Sequence, residues 1–174
     1  MLIALFTSLA LAGPGGIPSM PRQAKPLDDA TIVAIFDAAN GFDIETGTLG
    51  STKGSTKEVR AVGASLVRDH QAVRQQGRDL AKQLGVTPTP PAVNPFAAQH
   101  AAALKELKAK HGAAFDKAFL DHEIAYHQAV IDAVTKTLLP AIQNAELKAF
   151  VAKIAPAFQA HLDMCKAAKA QLKV

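Results

Sequence analysis

The chain has 174 residues, enough for one domain with a sizeable core. Apolar residues make up 49% but aromatic ones only 5%, so the bulk is Ala, Leu and Val, which suits long packed helices better than sheets. The net charge is +4, yet Lys and Arg are scattered singly and there is no Trp, which excludes a basic nucleic-acid stripe; a single Cys excludes a disulfide framework.

In chain order, residues 1–12 hold an apolar run that ends at Ala10-Leu11-Ala12-Gly13, a small-x-small pattern that reads as a signal peptide. The run is too short to span a bilayer, and no Cys follows it to carry a lipid anchor. The expectation is an exported, periplasmic protein with no transmembrane segment in the mature chain. Residues 13–27, rich in Pro and Gly, read as a disordered leader, which leaves 28–174 for the folded domain.

Asp28 or Asp29 can cap a first long helix to about Gly50, with the stripe Ile32, Phe36, Ala39, Asp43, Thr46. Gly47, Gly50 and Gly54, with Ser51 and Ser55, are expected to weaken its far end and mark the turn. A second helix starts near Ser55 or Thr56, and its seam runs Val59, Val62, Leu66, His70, Val73, Gly77, Leu80, Leu84. Gly85 ends it, and Pro88, Pro90 and Pro91 prevent continuation. A short Ala-rich helix over 97–110 follows and breaks at His111-Gly112. The third long helix spans about Ala113 to Leu138, with Pro140 expected to stop it. The fourth runs from about Asn144 to Leu172, with the seam Leu147, Phe150, Ile154, Phe158, His161, Cys165, Ala168, Leu172; Pro156 is expected to kink it or open one backbone bond. No segment alternates with period two. The expected fold is all-α: a four-helix bundle whose second and third long helices are joined by a long connection containing a short extra helix.

Three histidines stand out because each replaces an apolar residue in a regular seam: His70, His127 and His161. Burying an imidazole without a partner is costly, so each should be hydrogen-bonded or bound to metal. Glu123 lies one turn before His127, and Asp43 lies on the seam of the first helix. Three imidazoles with one or two carboxylates suit Zn, Fe, Mn or Cu. Asp69, beside His70, can accept a ring N–H from behind. Cys165 reads as a small core residue, and His100 and His111 receive no role. Two topologies bring the set to one level. If the bundle runs up-down-up-down, Asp37 joins the histidines; if the 85–112 connection crosses its length, Asp43 does.

Ala38-Ala39-Asn40 with Asp43-Ile44-Glu45, Val67-Arg68-Asp69-His70, Tyr126-His127-Gln128 and His161-Leu162 together resemble a ferritin-like bacterial family catalogued as domain of unknown function 4142. Its members are often labelled exported or outer-membrane proteins. The resemblance covers about residues 28–172 and implies a ferritin-like bundle, export to the periplasm and no established activity. It matches Asp43, His70, His127 and His161 to the family's polar positions. The Gly-rich Leu49-Gly50-Ser51 departs from the family's usual Leu-Ala pair and Lys-rich stretch.

Two functions follow from these residues. One is an exported metal-binding or metal-dependent redox bundle, with ligands His70, His127, His161, Glu123 and Asp43. The alternative is a metal-free structural or interaction module of the cell envelope, whose buried polar groups only fix packing. No nucleophile motif supports a hydrolase. Whether the chain is an enzyme, its partners and its self-association are left open.

Overall fold

The computed structural model describes residues 27–92 and 94–172, so the signal-peptide and leader readings over 1–26 lie outside the described residues. Among the described residues all regular structure is helical: α1 (Asp29–Lys53), α2 (Lys57–Gln83), α3 (Pro95–Ala109), α4 (Gly112–Ala133), a π turn (Val134–Leu138), α5 (Leu139–Ala141) and α6 (Ala145–Ala170). Local chemistry sets the boundaries. The side chains of Asp28, Thr56, Asn94 and Asn144 accept from first-turn amides of α1, α2, α3 and α6. Gly85 and Gly112 take positive φ values of 66° and 55°, which leads the chain out of α2 and into α4.

Contacts fix the directions. Asn40 meets His70 and Asp37 meets Arg74, so α1 and α2 are antiparallel. Tyr126 bonds to Ala39 O, and Asp29 accepts from the amides of Gln143 and Asn144, so α4 runs against α1. His161 meets Asp69, and Lys169 meets Asp121, so α6 runs against both α2 and α4. Hence α2 and α4 are parallel, and the connection holding α3 travels the length of the molecule beside α1. Of the two expected topologies, the crossing one is adopted. α3 is held there by Lys53, whose ammonium donates to Leu107 O at 3.1 Å and Lys108 O at 2.7 Å.

Two expectations are corrected. The first helix does not weaken at its glycines but continues to Lys53. Gly47, Gly50 and Gly63 are where helices touch: a Cβ on Gly63 would come within 2.6 Å of Gly47 O, and one on Gly50 within 2.7 Å of the Phe119 ring. Gly47 and Gly50 serve close approach, while Gly54 and Ser55 form the turn between α1 and α2 as expected. Similarly, Pro140 does not end the third long helix. α4 widens into the π turn at Val134–Leu138, and Pro140 lies within the helical run that continues through α5, one residue before its end at Ala141. Asp116, which the sequence did not single out, is fully buried; it accepts from Ser55 N at 2.8 Å, Ser55 Oγ at 2.6 Å and Thr56 N at 3.0 Å, which ties the start of α2 to α4.

The core comes in two parts. At one end Ile32, Phe36, Val134, Leu138, Leu147, Val151 and Phe158 pack together, with Leu27 partly buried against them. At the other, Val59, Leu66, Leu107, Phe115, Phe119, Leu120 and Cys165 do so. Each fully buried Leu, Ile or Phe contributes roughly 1.5–3 kcal/mol by leaving water. Between the halves lies a buried polar layer: Asn40, Asp43 and Thr46 of α1, His70 of α2, Glu123 and His127 of α4, and His161 of α6. No described helix is long and apolar enough to cross a membrane.

Candidate metal centre

Helical spacing delivers the layer. Glu123 and His127 lie four residues apart on α4, so their side chains stack on one face. His70 and His161 enter from α2 and α6, and Asp43 from α1. All five residues are at most 7% exposed, with Glu123 and His127 at 0%. The ring centroids lie 4.9 Å apart for His70–His161, 5.5 Å for His127–His161 and 5.7 Å for His70–His127. One donor atom from each of His70, His127 and His161 lies within 4.8 Å of the other two, and the same holds for Asp43, Glu123 and His127. The structure thus brings together all five residues singled out as candidate ligands. Asp37 lies elsewhere, clamped by Arg74 and Arg78. Burial pushes its carboxyl up, but the two guanidiniums hold it down at about 2.

Each imidazole has one nitrogen engaged by an acceptor and the other free. His70 Nδ1 lies 2.9 Å from Asn40 Oδ1, and Asn40 is oriented by donating its amide to Phe36 O at 2.8 Å. His127 Nδ1 lies 2.9 Å from the carbonyl of Glu123. His161 Nε2 lies 3.2 Å from Asp69 Oδ2. An amide oxygen, a carbonyl and a carboxylate only accept, so in each pair the ring nitrogen carries the hydrogen. The opposite nitrogens, Nε2 of His70 and His127 and Nδ1 of His161, are then bare lone pairs. All three are buried without a hydrogen-bond partner, as are Asp43 Oδ1 and both Glu123 carboxylate oxygens.

Burial dominates the electrostatics. It lowers His70 to about 3 and His127 to about 4, so both rings are neutral at pH 7. Burial, with the neighbouring charge of Glu123, raises Asp43 well above the usual carboxylate range. Burial raises Glu123 to about 7, with the Thr46 and Asp43 side chains offsetting it in part. Outside the layer, Arg68 lowers the pKa of Asp69, so the carboxylate behind His161 stays ionised.

The two side chains that support the histidines were unevenly visible in the sequence. Asp69 was expected to stand behind a histidine; it faces His161 across the α2–α6 contact rather than its neighbour His70. Asn40, quoted in the family resemblance, was given no role at the site, although its place one turn before Asp43 on the same face was a usable signal. His100, given no role, is buried; it stacks on Phe42 at 4.2 Å and lies 3.0 Å from Glu45 Oε2, outside the layer. Cys165 is buried in the second core cluster and belongs to neither donor group; burial and the two carboxylates raise its thiol pKa.

A family model described as a domain of unknown function, DUF4142, matches residues 17–168. The chain belongs to the DUF4142 family. No curated protein and no solved structure matches it.

Proposed function

We propose that this DUF4142 protein is an exported, ferritin-like four-helix bundle that binds one transition-metal ion between its helices. Its ligands are Nε2 of His70, Nε2 of His127 and Nδ1 of His161, with the carboxylates of Glu123 and Asp43 completing the shell. His127 belongs to both donor groups, and we take the two groups as one site. The mixed imidazole and carboxylate set fits a divalent first-row ion such as Zn, Fe, Mn or Cu.

The observation that carries this reading is three buried imidazoles, each with one unpartnered ring nitrogen, brought together with two carboxylates in one layer. Of seven buried side-chain atoms without a hydrogen-bond partner among the described residues, six lie in this layer. Leaving such groups unpaired costs roughly 1–3 kcal/mol each, and lone pairs facing one another add repulsion. Where this fold pairs a buried carboxylate it does so fully, as Asp116 with Ser55 and Thr56, whereas the three bare ring nitrogens have no protein donor. A cation satisfies all of them together. Ligand nitrogens sit about 2 Å from such an ion, so the 4.8 Å spread closes with side-chain shifts under about 1 Å. Asn40, the Glu123 carbonyl and Asp69 orient the rings, as outer acceptors commonly do for metal-binding histidines. Export rests on the apolar run before Ala10-Leu11-Ala12-Gly13.

Elemental analysis of protein purified without chelator is the direct test. One equivalent of a transition metal in the wild type, and none in His127→Ala, is expected. Metal-free protein that takes up none of these ions from solution, and whose stability is the same in EDTA, would sink the reading.

A further inference from the structure

A cavity of about 40 Å³ lies beside the polar layer, between α1 and α4. Its wall is mostly apolar, including Ile35, Phe36, Ala39, Val130, Val134 and Phe158. The space exceeds the 10–15 Å³ that one water needs, so it suits a molecule of a few heavy atoms. Val134 and Leu138, from the π turn, form part of the wall. Such widened turns are rare inside helices and are frequent at functional sites.

The polar residues on the wall decide what can enter. Tyr126 has its hydroxyl committed to Ala39 O, and Asn40 has its amide committed to Phe36 O and His70. Asn94 caps α3. What remains is Asp43, whose buried Oδ1 has no hydrogen-bond partner and which is also a member of the metal-binding set. The cavity therefore has an apolar body and a polar end at Asp43, one of the five candidate ligands. An anion would have to lose its hydration among hydrocarbon walls and lie next to Asp43 and Glu123. A cation would find acceptors only at the polar end. A small uncharged molecule meets neither penalty.

We propose that this cavity is the ligand chamber of the metal centre, and that in the metal-free protein it admits small, uncharged, mostly apolar molecules and rejects small anions. The chamber's role rests on the metal reading above; the cavity's selectivity does not.

The test uses the full chain with labelled methyl groups, first without metal and under xenon pressure, since dry apolar cavities take up xenon. Xenon-induced shifts should be confined to the methyls of Ile35, Val130, Val134 and Leu138. Ethanol should reverse them and formate should not. Ala39→Leu and Ala133→Leu, which narrow the chamber from opposite walls, should each weaken the effect at least tenfold. In a second arm the protein carries Co2+. Ethanol should change the visible spectrum of the bound ion in the wild type but not in either variant, at equal Co2+ content. Absent or scattered xenon shifts, or displacement by formate rather than ethanol, would overturn the proposal. Xenon shifts without any Co2+ binding would overturn the metal reading and with it the chamber's role; bound Co2+ without xenon shifts would overturn the chamber alone.

Discussion

Replacing His127 by Leu removes the one donor common to both ligand groups and puts an apolar side chain of similar size in a fully buried position. Its effect should reverse with metal. In EDTA the wild type buries His127 Nε2 unpaired, a cost of roughly 1–3 kcal/mol, and the variant is relieved of it. The variant loses the Nδ1 bond to Glu123 O, worth roughly 0.5–1.5 kcal/mol. The net runs from about 0.5 kcal/mol less to about 2.5 kcal/mol more stable than the wild type, with its middle about 1 kcal/mol in the variant's favour. With metal at a hundredfold excess over its dissociation constant, the wild type gains about 2.7 kcal/mol. In a chain of this size that raises its melting temperature by roughly 5–11 °C. The variant, with the site broken, should gain little. Differential scanning calorimetry of both proteins, each with EDTA and with Zn2+, should show their order of stability exchange. A wild type indifferent to both additions, or a variant whose Zn2+ response matches it, would refute the reasoning.

Other outcomes follow from the same geometry. Asp69→Ala removes the acceptor that fixes the His161 tautomer and should weaken metal affinity roughly 10–100-fold in a chelator competition, with the fold intact by circular dichroism. In EDTA, the raised Glu123 carboxyl makes wild-type stability fall as pH rises from its ordinary 4.5 through about 7, because the unfolded chain releases that proton first. Glu123→Gln removes this loss, so the variant should gain on the wild type by on the order of 3 kcal/mol between pH 4.5 and 8. Urea denaturation at the two pH values measures the gap, and a constant gap would contradict the assignment. His70 and His127, lowered to about 3 and 4, act in the opposite sense in both proteins: their contribution is lost as pH falls below the ordinary 6.5 of histidine. Gly63→Ala should cost roughly 1–3 kcal/mol by forcing α1 and α2 apart, read as a lower melting temperature; an unchanged one would mean that the helices are not in contact there.

Much of the architecture was legible in the one-dimensional pattern. Apolar steps of three and four, broken by Gly85, the Pro-rich 88–91 stretch and His111-Gly112, mark out the four long helices and the short fifth, because helix burial imprints its period on the sequence. The same period exposed His70, His127 and His161 as misfits on greasy faces, and Glu123 as the neighbour of one. Three things depended on the folded chain. The glycines of α1 suit a turn by local propensity, but contact with Gly63 and Phe119 makes them packing positions, and no local rule distinguishes the two. The level at which α1 meets α4 depends on whether the connection crosses the molecule, and that selects Asp43 over Asp37. Finally, which ring nitrogen stays bare depends on Asn40 and Asp69, acceptors on helices other than those of the histidines they hold, 30 and 92 residues away in sequence. Helical periodicity assigns a side chain to a face; only packed helices determine what that face meets.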